Sequence, residues 1–181
     1  MDRIATLFRS STFNAAAPPL SLFGMKLRAY VDQDAAATMG VFERAIRITA
    51  STDYTSEQIN AWVSTGLDSS DASAWWAAAR AAAVTIVAVE DEQVVGFSDL
   101  VDGSLLDMLF VDPDVSRRGV GAALVTRIVR LAREGGAGTL ETYASLTARP
   151  LFERFGFVIV ERCAPVVRGV VMTNFKMRLA L

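Results

Sequence analysis

The sequence predicts an α+β fold: an α/β sandwich around one mixed, mostly antiparallel sheet of about six to seven strands flanked by about four helices. Three observations predict it. Three β-rich runs, 84–90, 93–101 and 105–111, follow one another across Asp91-Glu92 and Asp102-Gly103, which suits an antiparallel meander. A strongly amphipathic stretch at 119–134 separates the third run from a fourth at 140–144, and a strand-helix-strand crossover makes two strands of one sheet parallel. The N-terminal third, by contrast, carries helical patterning.

In chain order, 26–31 alternates as a strand, and Asp32 or Asp34 then caps a helix running through Phe42, Ile46 and Ile48. Thr55-Ser56-Glu57-Gln58 is a helix start leading into Ile59 and Trp62, and 70–83 is an Ala-rich helical stretch with Trp75 and Trp76. In 119–134, Val120, Leu124, Ile128 and Leu131 share one face, Arg127, Arg130 and Arg133 are expected to turn elsewhere, and Gly135-Gly136 stops the helix. A short helix at 146–155 and strands at 157–161 and 170–179 complete the series.

The chain has 181 residues, 52% hydrophobic and 21% charged, enough for a packed core and incompatible with wholesale disorder. Residues 25–181 are expected to form the domain. Residues 1–24 lack a signal-length apolar block, and Met25 is a second plausible start. They are expected to be a loosely held extension or start-site artefact, or else a segment packed on the domain. No stretch is long enough to cross a bilayer, so no membrane partner is expected and the location is expected to be cytoplasmic. A net charge of −2 gives no global field for a phosphate backbone, so no nucleic acid is expected. The chain contains no histidine and one cysteine, Cys163, expected to be a buried small hydrophobe. Imidazole-based triads and thiolate or imidazole metal sites are thereby excluded, and no metal is expected.

The chemistry-bearing stretch is 107–124. A strand ends in Val111-Asp112-Pro113, and a short loop delivers Arg117-Arg118-Gly119-Val120-Gly121-Ala122 onto a helix start. Glycines let backbone N–H groups approach an anion, the helix N-terminus adds partial positive charge, and two arginines add full charge. The same stretch also fits an ordinary strand-to-helix turn with solvated arginines. It is neither a Walker loop, since no G-K-[ST] follows, nor a dinucleotide fingerprint, since residue 124 is Leu.

At these residues the chain resembles the GNAT superfamily of acyl-CoA-dependent N-acetyltransferases. Leu109-Phe110-Val111-Asp112-Pro113 is similar to its fourth-strand ending, and Arg118 to Leu124 to its pyrophosphate loop. Ala148 with Leu151-Phe152-Glu153-Arg154-Phe155-Gly156-Phe157 is similar to its late helix and Gly-Phe turn. Asp53 to Gln58 with Ala61-Trp62, Ala144-Ser145, Ala148-Arg149-Pro150 and Thr173 to Met177 resemble a small bacterial subgroup of YafP type. The likeness spans roughly 26–181.

The resemblance implies direct transfer of an acetyl group from acetyl-CoA to a primary amine of a small molecule or peptide. The backbone of Leu109, Phe110 and Val111 would pair with the pantetheine arm and offer an N–H to the developing oxyanion. Arg117, Arg118, Gly119, Val120, Gly121 and Ala122 would hold the pyrophosphate. Ser145 stands where many members have Asn, Ser116 where Gln or Arg is common, and Phe152 where a Tyr often protonates the leaving thiolate. A thiol of pKa roughly 8.5 leaves tolerably without that acid, and Tyr143 is a candidate replacement. The strand acids Asp107, Glu141, Asp99 and Glu90 are the available bases, of which Asp107 and Glu141 are favoured. Strand alternation puts Glu141 and Tyr143 on one face. Phe42, Tyr54, Trp62, Trp75, Trp76 and Phe175 are either core or acceptor wall. If several line one pocket, they would favour a flat or apolar amine. The competing expectation is a catalytically weak or inactive acyl-CoA-binding regulatory module. Whether the chain forms a homodimer is left open.

Overall fold

A computed structural model describes residues 21–22, 24–67 and 71–181. It opens with β1 (Ser21–Leu22) and β2 (Met25–Ala29), then α1 (Ala35–Arg44), α2 (Ser56–Leu67) and α3 (Ala72–Ala82). The meander β3 (Val84–Glu90), β4 (Gln93–Val101) and β5 (Leu105–Val111) follows, then α4 (Val120–Glu134), β6 (Thr139–Ser145) and α5 (Arg149–Arg154). The chain closes with β7 (Val158–Cys163), the hairpin β8 (Val166–Val167) and β9 (Val170–Val171), and β10 (Asn174–Ala180). The main sheet runs β1-β2-β3-β4-β5-β6-β10-β7, with β5 and β6 parallel and the other neighbours antiparallel. The mixed, mostly antiparallel α/β architecture is thus the one the sequence predicts. Of the N-terminal segment, residues 1–20 and 23 lie outside the described residues, whereas Ser21 and Leu22 pair with Lys26 and Met25.

Alternation in the central strands builds two cores. Ile86 and Ala88 pack with Leu124, Val125 and Ile128 of α4 on one face of the sheet. Val87 and Val89 pack with Phe42, Ile46 and Trp76 on the other. A strand covered on both faces reads as an unbroken apolar run, which is why 84–90 does. Asp91 and Glu92, both at positive φ (47° and 63°), make the tight turn into β4. The α2 start is a reciprocal capping box: the Thr55 N–H donates to Gln58 Oε1 at 3.0 Å and the Gln58 N–H to Thr55 Oγ1 at 3.3 Å. Asp34 occupies the α1 N-cap position, but its carboxylate turns back to accept from the Val31 N–H and Arg28.

Three details depart from expectation. Arg127 is buried rather than turned outward, because α4 is covered on more than its apolar stripe. Cys163 is only half-buried on the outermost strand, β7. The stretch 170–179 is two strands, because Arg168 (φ 49°) and Gly169 (φ 85°) fold β8 onto β9 before β10 begins.

Candidate active site

The parallel ladder between β5 and β6 is short. It pairs Leu105 with Glu141 and Leu106 with Thr142, and then ends. Beyond it, β5 keeps only its β4 neighbour, so the backbone groups of Asp107 to Val111 facing β6 have no ladder partner. A cavity of about 410 Å³ occupies the gap. Its walls include Leu106 to Phe110 of β5, Thr142 to Ser145 of β6, and Phe152 of α5. The N-terminal helices add Phe42, Tyr54, Trp62, Trp75 and Trp76, and the approach to β10 adds Pro165, Val167 and Met172.

Several contacts fix this frame. Tyr54 Oη donates to the Thr173 carbonyl at 2.6 Å and accepts from the Leu146 N–H at 2.9 Å, joining the N-terminal helices to both β6 and β10. Arg44, just before a π-helical segment at Ala45–Thr49, pairs with Asp112 and Asp114, each at 2.8 Å, anchoring the segment that follows β5. Burial pushes the Asp112 carboxyl up, but Arg44 and the Asp114 N–H outweigh it and hold the group below the ordinary range. Phe110 meets Phe42 edge-on at 4.9 Å and stacks on Phe97 at 5.7 Å.

Asp107 and Tyr143 follow directly after the last bonded pair, so the end of the ladder brings both into the cavity wall. The Asp107 carboxylate reaches solvent through the cleft, yet the apolar walls push it above its ordinary value while Arg80 pulls it back. Glu141 is not brought there. It lies outside the wall, bound to Arg178 at 2.6 Å and Lys176 at 3.1 Å, and those hydrogen bonds hold its carboxyl below the ordinary range. Asp99 is sealed away with Arg80, and Glu90 is tied to Arg118 at 2.5 Å. The site that sequence reasoning assembled from strand acids therefore reduces to Asp107.

Asp99 sits where the β4 register shifts between Ser98 and Leu100. Burial pushes it up to about 6, opposed by Arg80 and by the Thr85 hydroxyl, which donates at 2.9 Å. Arg80 also places a guanidinium nitrogen 2.8 Å from the Met108 sulfur, beside Asp107 in sequence. The sequence offered Asp99 only as a candidate base, and an Arg in an Ala-rich helix carried no signal that it would be buried.

The loop 117–122 lies beyond the end of β5, outside the cavity wall. Gly119 starts α4 at φ +90°, and a Cβ there would meet nothing within 4 Å, so its surroundings are open. At Gly121 a Cβ would come within 3.2 Å of Leu151, which keeps the first turn of α4 close to α5. Arg117 holds φ 66°, and Val120 is buried, so its part in the loop is main-chain. The first N–H groups of any helix lack intrahelical partners; those of Val120 to Ala122 fall here. Ser145 lines the cavity while its Oγ accepts from the Ala148 N–H at 3.0 Å. Phe152, 2% exposed and edge-on to Phe157 at 5.1 Å, puts a ring without a hydroxyl at the floor. A released strand edge leading to an open helix start suits an extended amide-bearing arm that ends in phosphates, which is the shape of a coenzyme A thioester.

Comparisons agree with that class of site. Residues 50–179 match the acetyltransferase (GNAT) domain family. The chain is 37% identical over 154 residues, 85% of its length and 95% of the relative's, to the uncharacterized N-acetyltransferase YafP of Escherichia coli (strain K12). A GCN5-related N-acetyltransferase structure from Rhodopseudomonas palustris superposes with TM-score 0.83 at 32% identity, covering 90% of this chain and 99% of that one. Salmonella typhimurium yncA, solved with its cofactor acetyl-CoA, shares the fold at TM-score 0.60 and 20% identity, covering 86% of this chain and 93% of that one.

The fold and the split strand pair thus define an acyl-CoA-dependent N-acetyltransferase. The chain belongs to the GNAT acetyltransferase family. No helix among the described residues is long and apolar enough to cross a membrane, and these residues contain no cluster suited to a metal ion.

Proposed function

We propose that the chain moves an acetyl group from acetyl-CoA directly to a primary amine of a small molecule or peptide, with Asp107 as base and Tyr143 as acid. The observation that carries this reading is their shared position at the mouth of the split between β5 and β6, in one cavity wall. The free edge of Leu109, Phe110 and Val111 would take the pantetheine arm. Arg117 to Ala122 would take the pyrophosphate, and Ser145 and Phe152 would border the arm. Acetyl-CoA supplies an acetyl group already activated as a thioester.

The protein's own task is proton management. An alkylammonium must lose a proton before its nitrogen can attack, and in water about 6 pKa units, or about 8 kcal/mol, separate it from a carboxylate. Apolar walls narrow that gap from both ends, raising Asp107 and lowering the ammonium. As the carbon–nitrogen bond forms the carbon–sulfur bond breaks, the nitrogen gives its second proton to solvent water, and the thiolate takes its proton from water or from Tyr143, which water then reprotonates. The ammonium proton passes through Asp107 to solvent. Following thiol release over an amine panel tests this: Asp107→Asn should lower kcat/KM by about 100-fold or more.

Phe152 favours one competing reading, since a ring without a hydroxyl stands where family members often keep an acid. On that reading the chain is a catalytically weak or inactive acyl-CoA-binding module. It predicts calorimetric acetyl-CoA binding with no amine-dependent thiol release.

A further inference from the structure

The cavity says more about the acceptor than the choice between small molecule and peptide. Resting on the acetyl-transfer reading above, we propose that the acceptor is a compact lipophilic monoamine: one ammonium on an aromatic or branched aliphatic body, with no carboxylate and no second charge.

The first argument is the charge inventory. Among the described residues lining the cavity, Asp107 alone carries a charge. One carboxylate balances one ammonium. A second ammonium, as in a polyamine, would lose its water against aromatic rings without a counter-ion. A carboxylate on the acceptor, as in a free amino acid, would find no cation. Arg80 is committed to Asp99 with 4% of its side chain exposed, and Lys176 to Glu141.

The second argument is the wall. Trp62, Trp76 and Phe42 come from three different helices to face Met108 and Phe110 of β5, and Met172 closes from the far side. Trp76 and Phe42 are held in place from behind, 1% and 3% exposed and 5.0 Å apart ring to ring. A preformed apolar wall of this kind rewards an apolar body, and the cavity's neutral polar groups, among them the Asn174 amide oxygen, can accept from an ammonium but cannot neutralise a carboxylate.

The third argument concerns what closes the cavity. The β8–β9 hairpin and its continuation are fastened to the N-terminal helices along their length. Gln58 Nε2 donates to the Val171 carbonyl at 2.9 Å, Arg168 donates to the Ser64 carbonyl at 3.4 Å, and Tyr54 holds the Thr173 carbonyl. The Met172 N–H donates to the Pro165 carbonyl at 2.8 Å, closing the base of the hairpin. Pro165, Val167 and Met172 are thereby held as part of the cavity wall. A peptide chain needs room to leave the site at its C-terminal side; a compact amine does not.

The experiment measures thiol release by the full chain with acetyl-CoA and five acceptors: phenethylamine, isoamylamine, spermidine, phenylalanine and a tetrapeptide with a free N-terminus. The expected result is kcat/KM for phenethylamine about 100-fold above those for phenylalanine, spermidine and the tetrapeptide. Asp107→Asn should raise KM for phenethylamine while leaving the calorimetric Kd for acetyl-CoA within about threefold, a binding readout that also reports whether the variant is folded. Equal or better turnover of spermidine, phenylalanine or the tetrapeptide would overturn the proposal. So would calorimetric acetyl-CoA binding with no thiol release on either lipophilic amine, an outcome that leaves the cofactor assignment standing. Absence of acetyl-CoA binding would overturn the acetyl-transfer reading itself, and this inference with it.

Discussion

Arg80 and Asp99 meet at 2.8 Å with side chains 4% and 0% exposed, and the guanidinium lies 4.7 Å from the centre of the Trp76 ring. Two charges so deeply placed have given up their hydration and depend on each other. Arg80→Met leaves the buried Asp99 carboxylate without its counter-charge. The expected loss is about 3–5 kcal/mol of unfolding free energy, read by urea denaturation at pH 7.

The same pair carries a pH dependence. Burial raises Asp99 from 3.8 to about 6, so the folded chain holds that proton more tightly than the unfolded one. For a carboxyl with a raised pKa, the linked stability is fully present below the unfolded value and is lost as pH rises through the folded one. A titration of unfolding free energy between pH 4 and pH 7, wild type minus Asp99→Asn, should therefore fall toward neutral pH. A rise would mean that Arg80 governs the carboxyl more strongly than burial does.

The loop at the start of α4 separates charge from shape. Arg118 is drawn toward Glu90 at 2.5 Å, so Arg118→Ala removes a shared charge and should weaken acetyl-CoA binding only moderately, several-fold by calorimetry. Gly121→Asp adds a negative group where Leu151 already stands 3.2 Å from a Cβ, and should abolish measurable binding. Equal affinities for the two variants would contradict the phosphate assignment.

Tyr54→Phe deletes one hydroxyl that serves two chain segments, the Thr173 carbonyl and the Leu146 N–H. Leaving both groups unsatisfied should cost about 1–3 kcal/mol, seen as a lower Tm in a thermal melt. The acceptor KM should rise more than the acetyl-CoA Kd changes, because the hairpin rather than β5 loses its tether.

Glu141 is the counter-test to Asp107. Tied to Lys176 and Arg178 outside the cavity, it has no position from which to take a proton from an amine. Glu141→Gln should leave kcat/KM within about threefold of wild type, well short of the loss a general base brings. A drop comparable to that of Asp107→Asn would return Glu141 to the catalytic role that strand alternation suggested.

Much of the fold is legible locally. The meander could be read because its strands are largely apolar and its turns use residues that accept positive φ, such as Asp91, Asp102 and Gly103. The capping box at Thr55 and Gln58 declared α2 directly. The loop at 117–122 could be singled out because what it would offer a phosphate is main-chain N–H groups, which Gly119 and Gly121 announce. The acidic candidates could not be ranked, because alternation assigns a face and not a partner. Glu141 and Asp107 look alike until Lys176 and Arg178 arrive from β10, more than thirty residues downstream. The hairpin had a signal, an Arg-Gly pair between two Val-Val dipeptides, but the apolar residues on either side blend into a single strand pattern. Arg80 had none, since nothing local distinguishes a buried arginine from a solvated one.

The hairpin fastened over α2 also bears on how such a molecule diverges. On the proposed reading, donor handling would rest on β5 and α4, whereas much of the cavity wall comes from the chain's first third and from ten residues shortly before its end. If that division holds, replacing those ten residues would retool substrate choice and leave the thioester grip intact, a route by which one acetyl source could come to serve unrelated amines.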